Sequence, residues 1–123
     1  MQSIQTDQAP TSIGPYSQAV VENGFVFCSG QIALQQNGEF LDGTVAEQSK
    51  QVLENLKNVL VAANSGLEKV VKTTIFLTDI NDFTDVNTVY AEFFGDHKPA
   101  RATVAVKELP KNAKVEIEAI ATI

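Results

Sequence analysis

Residues 99–120, PARATVAVKELPKNAKVEIEAI, carry the clearest strand pattern of the chain. Residues 102–106 form a compact apolar run, the Leu-Pro-Lys-Asn segment at 109–112 interrupts it, and residues 114–123 then alternate between apolar and polar side chains. Alternation with period two is typical of a half-buried strand, and a Pro-Lys-Asn run is typical of a turn. The pattern therefore predicts two short strands joined by a polar turn.

Three charged side chains in this stretch are candidates for chemistry. Glu116 and Glu118 are two residues apart, so a strand places both on the face opposite its apolar side chains. Arg101 begins the first strand, and the short turn predicts that Arg101 lies near Glu116. Two interpretations stay open on the residues alone. Arg101 forms an ion pair with a glutamate at the sheet edge, or its guanidinium binds a carboxylate ligand while a glutamate handles a proton or a water.

Length and composition define the broad class of the protein. A chain of 123 residues, 44% hydrophobic and 20% charged, fits one globular domain, 1–123, and is too short for two. The formal net charge of -6 and the pI near 4.6 argue against general nucleic-acid binding, which needs clustered Lys and Arg. No apolar run approaches membrane-spanning length, and the N-terminus has no targeting pattern. We expect a cytoplasmic protein that binds neither nucleic acid nor membrane.

Residue types that serve metal and nucleophile chemistry are scarce. Cys28 is the single cysteine and lies in an apolar strand, so an inert buried thiol is a better interpretation than a nucleophile. His97 is the single histidine, which gives no support to a multi-histidine metal site or to a Ser-His-Asp arrangement. We interpret His97 as an exposed loop residue, and we expect neither a metal nor a cofactor.

The remaining segments predict the rest of the fold. Asn23-Gly24 marks a tight hairpin, Thr44 with Glu47 three residues later is a capping box that begins a helix, and the Asn-Ser-Gly run at 64–66 ends that helix. The elements are an edge strand within residues 1–8, strands at 17–22 and 25–30, a helix from 44 to about 63, a strand at 70–77 and a helix at 82–94. The order β-β-β-α-β-α-β-β predicts an α+β structure, with two helices on one face of a six-stranded mixed sheet.

The second predicted helix carries a polar side chain inside an apolar stripe. Asn87 shares one helical face with Phe83, Tyr90 and Phe94, at spacings of three and four residues. A buried amide needs hydrogen-bond partners. Either the Asn87 amide bonds neighbouring backbone, or it contacts a ligand.

The predicted layers leave one sheet face without cover. Six strands about 4.8 Å apart make a sheet nearly 30 Å wide, and two helices about 10 Å across cover only one face of it. In the strands at 25–30 and 70–77 both alternating sets of side chains are largely apolar. An apolar uncovered face predicts self-association.

Four segments together resemble the RidA family (YjgF/YER057c/UK114) of reactive intermediate deaminases. They are Ile13-Gly14-Pro15-Tyr16-Ser17-Gln18, Ser29-Gly30-Gln31-Ile32, Val86-Asn87 followed by Tyr90, and the stretch from Pro99 to the C-terminus. The resemblance runs from about residue 9 to the end of the chain. It implies a chorismate-mutase-like fold and a homotrimer with three clefts between subunits. It also implies hydrolysis of an enamine or imine, such as 2-aminoacrylate or 2-aminocrotonate, to a 2-keto acid and ammonia.

The resemblance also implies roles for individual residues. Arg101 holds the substrate carboxylate with help from the backbone at Gly30, and Glu116 positions or activates the hydrolytic water. The substrate-binding positions that it matches are Tyr16, Ser29, Gly30, Asn87, Arg101 and Thr103. Many close members of the family carry cysteine two residues after the arginine, so Thr103 implies an altered substrate preference. Glu118 lies outside the matched catalytic position and serves as its structural control.

Two other functions remain as alternatives. The first is a non-catalytic sensor that binds a 2-keto acid in the same clefts and modulates a partner protein, a role that Arg101 would serve equally well. The second is the ribonuclease activity of some relatives, which fits the acidic charge of this chain poorly. Loss of Glu116 distinguishes the enzyme from the sensor, because it changes function only in the enzyme.

Overall fold

The structure is a computed structural model that describes all residues from 1 to 123. It contains strands β1 (Gln2–Ile4), β2 (Ala19–Glu22), β3 (Phe25–Gln31), β4 (Val70–Leu77), β5 (Ala100–Ala105) and β6 (Val115–Thr122), and helices α1 (Val45–Ala62) and α2 (Phe83–Phe94). The strands form one six-stranded sheet in the order β1-β2-β3-β6-β4-β5, in which only β4 and β5 are parallel. This confirms the predicted α+β class and mixed sheet. Neither helix is long and apolar enough to cross a membrane, and the cytoplasmic location stays a prediction.

Short-range signals in the sequence mark the element boundaries. The hairpin turn has two residues in left-handed conformation, Asn23 with φ 52° and Gly24 with φ 78°. Thr44 caps α1 through both bonds of a capping box, since its hydroxyl accepts from the Glu47 N–H at 3.1 Å and its own N–H donates to Glu47 Oε1 at 2.9 Å. Left-handed Asn64, with φ 61°, ends α1, whereas the nearby Gly66 is extended.

The hydrophobic core lies between the two helices and one face of the sheet. It contains 24 buried residues, among them Leu53, Leu56 and Leu60 of α1. Cys28 belongs to this core, and burial raises the pKa of its thiol to about 12. A thiol with that pKa carries almost no thiolate at neutral pH, which supports the interpretation of Cys28 as inert.

The other face of the sheet is uncovered in the single chain and carries apolar side chains. Phe25, Phe27 and Val104 are each more than 40% exposed there, at 42%, 43% and 43%. Side chains at alternate positions of β6, including Glu116 and Glu118, point to the same face, because their neighbours Val115 and Ile117 are fully buried on the helix side. The predicted uncovered apolar face is confirmed, and the homotrimer stays a prediction.

Strands β5 and β6 do not form the expected hairpin. Strand β4 lies between them, pairing parallel with β5 and antiparallel with β6. Arg101 is the register partner of Thr73, whose side chain is buried under the helices, and Glu116 is the partner of Phe76, which points to the other face. The prediction that the turn brings Arg101 near Glu116 is therefore wrong within one chain. The connection over residues 106–114 spans two strand spacings, about 9.6 Å, instead of turning back directly.

Candidate active site

The residues matched by the family resemblance fall into two groups on opposite faces of the sheet. The first group, which we name the carboxylate half-site, is Tyr16, Ser29, Gly30 and Glu116, which line a hollow of about 600 Å³. The second, the guanidinium half-site, is Asn87, Arg101 and Thr103. Asn87 and Arg101 line a separate hollow of about 430 Å³ along α2, and Thr103 lies two residues after Arg101 on the same face of β5.

The carboxylate half-site is built around an irregularity in β3. The register of β3 against β6 shifts between Cys28 and Gln31, which gives a local bulge at Ser29 and Gly30. The Glu116 side chain occupies the space that a side chain at position 30 would need. A Cβ there would lie 2.9 Å from the Glu116 carboxyl carbon, Cδ, and 3.1 Å from its Cγ. Glycine at position 30 therefore allows the carboxylate to lie against the β3 backbone.

Two side chains hold the segment that carries Tyr16. The Ser29 hydroxyl donates to the Ser17 carbonyl at 2.6 Å, so its proton is used within the chain. The buried Gln18 amide donates to the Pro10 carbonyl at 2.8 Å and accepts from the Thr6 N–H at 2.7 Å. Gln18 was part of the recognised motif but had no predicted role. The signal for its role was a long amide at the start of an apolar strand, where burial requires backbone partners.

The environment of Glu116 favours its protonated form. Burial raises the pKa of the Glu116 carboxyl, and the negative charge of Glu118 raises it further. Glu116 has no hydrogen-bond donor and no salt bridge within the chain. Glu118 is exposed and forms no salt bridge either, so the structure gives no support to a structural partner for it. A raised pKa makes the Glu116 carboxylate a stronger base, which suits it to accept a proton and return it during a reaction.

The guanidinium half-site leaves the charge of Arg101 without an ionic partner. Its Nη1 donates to Asn87 Oδ1 at 2.6 Å, and its Cζ lies 4.9 Å from the ring centroid of Tyr90 and 5.3 Å from that of Phe83. The one salt bridge of the chain joins the N-terminus to Glu22. The ion-pair interpretation of Arg101 is therefore wrong for the single chain. The Asn87 amide bonds this side chain and not the neighbouring backbone.

Tyr90 and Thr103 lie on the same side of the sheet as Arg101. Tyr90 shares a hydrogen bond of 2.8 Å with Thr73 across the core. Burial raises the pKa of the Tyr90 phenol, although the Thr73 bond and the Arg101 charge act in the opposite direction, so the phenol stays neutral. The Thr103 hydroxyl is buried and has no hydrogen-bond partner. This hydroxyl lies on the same strand face as Arg101 but is covered in the single chain, so a ligand group reaches it only if neighbouring side chains move.

His97 differs from its prediction. Its Nε2 lies 2.6 Å from the Val70 carbonyl oxygen, and the side chain is half-buried. Because a carbonyl only accepts, Nε2 carries the hydrogen of this bond. His97 lies in a loop as predicted, but the prediction that it is exposed is wrong, since it is half-buried and ties the segment after α2 to the start of β4.

Comparison with known proteins agrees with the resemblance and with the fold. The family model described as Endoribonuclease L-PSP matches residues 6–123, which is nearly the whole chain. The chain belongs to this family, the RidA (YjgF/YER057c/UK114) family. Its relatives carry names from several functional classes, so membership alone leaves the reaction to be argued from the site.

Three members of the RidA family illustrate the similarity. A RutC family protein of Pyrococcus horikoshii is 50% identical over 119 residues, covering 96% of this chain and 94% of that protein. The human 2-iminobutanoate/2-iminopropanoate deaminase is 47% identical over 119 residues, covering 96% of this chain and 87% of the human protein. The crystal structure of E. coli TdcF with bound serine has a TM-score of 0.95 at 43% identity, covering 100% of this chain and 99% of that one. The fold of the family is therefore the fold of this chain.

Proposed function

We propose that the protein hydrolyses reactive 2-imino and 2-enamino acids, such as 2-aminoacrylate and 2-aminocrotonate, to 2-keto acids and ammonia. The observation that carries this proposal is the presence of two ionisable side chains, Arg101 and Glu116, that have no ionic partner within the chain. Arg101 offers a guanidinium with no ionic partner, and Glu116 offers a carboxyl group with a raised pKa. The guanidinium suits the carboxylate of such an acid. The Glu116 carboxyl group suits the water that must attack the imine carbon. The name of the human relative supports the same reaction class.

A complete site on this proposal lies between two copies of the chain. Arg101 and Glu116 point to opposite faces of one sheet, so a substrate cannot reach both within a single chain. The face that carries Glu116 also exposes Phe25, Phe27 and Val104, an apolar surface suited to burial against a second copy. A homotrimer with three such interfaces brings the guanidinium half-site of one subunit to the carboxylate half-site of the next.

The proposed reaction needs only the side chains of the two half-sites and a water. The Arg101 guanidinium binds the substrate carboxylate through parallel N–H donors, helped by backbone at Gly30. An enamine first takes a proton from water on its β-carbon and becomes the iminium ion, whereas an imine reaches the same ion by protonation of its nitrogen. The Glu116 carboxylate then accepts a proton from a water as the water oxygen bonds to the iminium carbon, and the electrons of the C=N π bond move to nitrogen to give a neutral carbinolamine. Glu116 returns this proton to the carbinolamine nitrogen, the C–N bond breaks to release ammonia, and the hydroxyl proton passes back to the Glu116 carboxylate as the carbonyl of the 2-keto acid forms.

The remaining pocket residues shape the cleft. Tyr16 is 52% exposed at the rim of the hollow that contains Glu116, where it can cover a bound substrate. Thr103 has a buried hydroxyl without a hydrogen-bond partner on the strand face that carries Arg101. Because 2-imino acids already hydrolyse in water, orientation and proton transfer worth about 10²–10⁴-fold meet the demand on this site. Water adds to the imine directly, so the reaction as proposed uses no metal and no cofactor.

The charge of the site favours deamination over cleavage of RNA. The chain has a net charge of -6, and its larger hollow is lined by two acidic side chains, Glu116 and Glu118, against one lysine, Lys111. Both features repel the phosphates of a nucleic acid. A small ligand with one carboxylate needs only one guanidinium.

The experiment that tests the proposal measures ammonia and 2-keto-acid release from enzymatically generated 2-aminoacrylate. Arg101→Lys keeps the charge but loses the planar fork, so activity should fall steeply while thermal stability changes little. Glu116→Gln should lower kcat more than KM, because proton transfer matters mainly in the transition state. Glu118→Gln is the matched control on the same strand face.

The outcomes separate the enzyme from the alternatives. Turnover at the wild-type rate by Glu116→Gln would show that this carboxylate is not catalytic. Binding of a 2-keto acid by the wild-type protein without any turnover of the imine would favour the sensor. Equal loss of activity and stability in Arg101→Lys would return Arg101 to a structural role.

A further inference from the structure

Arg101 is held on several sides although no acid neutralises it. Phe83 and Tyr90 each present a ring within 5.3 Å of its Cζ, and Asn87 accepts a hydrogen bond from its Nη1 at 2.6 Å. A long arginine side chain has many rotamers, and binding a planar carboxylate requires one orientation of the fork. The contacts around Arg101 therefore restrict the rotamers of its side chain before a ligand binds, so binding costs less conformational entropy.

Helix α2 supplies all three neighbours from a single face. Phe83, Asn87 and Tyr90 are spaced by four and three residues, which places them one above another on the helix surface. Phe83 is half-buried and Tyr90 is 8% exposed. One rigid element thus fixes two rings and an amide relative to each other.

The strand that pairs with β5 fixes Tyr90 from the other side. Thr73 is the register partner of Arg101 in the parallel β4–β5 pair. The same threonine shares the 2.8 Å hydrogen bond with the Tyr90 hydroxyl. The position of the Tyr90 ring is therefore tied to the strand pair that carries Arg101, which closes a triangle of Arg101, Thr73 and Tyr90.

This arrangement keeps the hydrogen-bonding capacity of Arg101 for a ligand. A guanidinium has five N–H donors, and the Asn87 bond uses one, which leaves four. Aromatic faces attract a cation without taking any of these donors. Neutral Tyr90 also adds no negative charge that would compete with a substrate carboxylate. A carboxylate side chain in the same place would hold the guanidinium equally firmly but would occupy the fork.

We propose that Phe83 and Tyr90 are positioning residues, which hold the Arg101 guanidinium in the orientation that binds the substrate carboxylate, and that Thr73 fixes Tyr90 in this role. The inference rests on the proposed function of Arg101. It gives a role in the site to Phe83, which lies outside the matched segments, and to Tyr90, which belongs to a matched segment but had no role in the site. Because both side chains belong to the apolar stripe of α2, the sequence pattern predicts only that they are core residues.

The test measures calorimetric affinity for 2-ketobutyrate, as a stable 2-keto acid, together with imine hydrolysis. Phe83→Leu and Tyr90→Leu should weaken binding about three- to thirtyfold, the range for a cation–aromatic contact from exposed to desolvated. KM should rise with a smaller change in kcat. Phe83→Tyr keeps a ring face, so its affinity for 2-ketobutyrate should equal that of the wild type. A role of Phe83 in packing volume alone would not require a ring at this position.

A double-mutant cycle separates positioning from general packing. In an Arg101→Met background the fork is absent, so adding Tyr90→Leu should lower kcat/KM little further. A purely structural role predicts that the two losses multiply in full. Val89→Ala is the control, because Val89 is also 8% exposed on α2 but does not belong to the group around Arg101. It should reduce thermal stability and leave the affinity for 2-ketobutyrate unchanged.

The outcomes distinguish this inference from the proposed function. A wild-type protein that neither binds 2-ketobutyrate nor hydrolyses the imine would overturn the proposed function. A wild-type protein that binds, an Arg101→Met variant that does not, and ring variants with wild-type affinity would overturn the inference alone. Full multiplication of the losses in the cycle would overturn it as well. If Tyr90→Leu does not fold, Phe83→Leu carries the same test, since Phe83 is only half-buried.

Discussion

Two inactive variants should restore activity to each other when their chains assemble together. Arg101→Met removes the guanidinium half-site and keeps Glu116, whereas Glu116→Gln keeps Arg101 and removes the catalytic carboxylate. The two residues lie on opposite faces of the sheet, so the proposed site draws them from different chains. A site that pairs the intact half of one variant with the intact half of the other contains both groups.

The size of the recovery follows from the symmetry of a ring. In a cyclic trimer each interface joins the guanidinium half-site of one subunit to the carboxylate half-site of the next. A cyclic trimer that contains both variants has one active interface of its three. At that interface the Glu116→Gln subunit supplies Arg101 and the Arg101→Met subunit supplies Glu116. Purified mixed trimers should therefore show about one third of the wild-type activity per site.

The assay uses co-expression with two different affinity tags. Tandem purification isolates trimers that contain both variants, and ammonia release from generated 2-aminoacrylate reports their activity. Co-expressed Arg101→Met and Arg101→Lys are the control, because this pair lacks the fork in every subunit and cannot recover. Mixed trimers as inactive as either parent would refute the reasoning, since they would show that each site takes both residues from one chain.

Four further outcomes follow from the structure. Static light scattering at micromolar concentration should give about three times 13.3 kDa, and a monomer would contradict the divided site. Gly30→Ala should displace the Glu116 carboxylate and lower kcat about a hundredfold, with little change of the melting temperature in a thermal scan. A wild-type kcat in this variant would show that the Glu116 side chain moves aside without loss of function. Glu118→Gln should move the acid limb of the pH profile of kcat/KM to lower pH. The charge of Glu118 helps to raise the pKa of Glu116, and the deprotonated form of Glu116 is the active one in the proposed reaction. An unmoved limb would leave burial as the only cause of the raised pKa of Glu116. Thr44→Ala should lower the unfolding free energy in urea by about 1 kcal/mol, and no change would mean that solvent replaces the cap.

Local signals in the sequence predicted the elements of this fold well. The Asn23-Gly24 turn and the capping box of Thr44 and Glu47 depend on residues within a few positions of each other, so their physical effect is present in the sequence itself. Strand β6 was predicted from its alternation, and its faces are as expected. Such signals say which segments are strands and which side of each strand is apolar.

Strand order was not encoded in those local signals. Alternation identifies β5 and β6 as strands, but any strand with a suitable face can pair with either of them. The register of β4, which pairs Thr73 with Arg101 and Phe76 with Glu116, places Arg101 and Glu116 on opposite faces. For the same reason the sequence did not predict the bond from Arg101 to Asn87 or from His97 to Val70. Each of these contacts depends on which element packs over the end of β4 and β5.

The resemblance predicted the site residues without predicting how they are divided, and the division links assembly to the chemistry of Glu116. Covering the face that carries Phe25 and Phe27 removes water from Glu116 as well, which raises its pKa further. An arginine from a neighbouring subunit acts in the opposite direction, because a cation within about 4–6 Å stabilises the charged carboxylate. The two effects of assembly therefore oppose each other at one carboxyl group. A neighbour that buried this face without presenting Arg101 would raise the pKa of Glu116 further and reduce the fraction of carboxylate that can accept a proton from water. The same interface that shields the apolar surface thus has to place the guanidinium half-site near enough for Glu116 to act as a base.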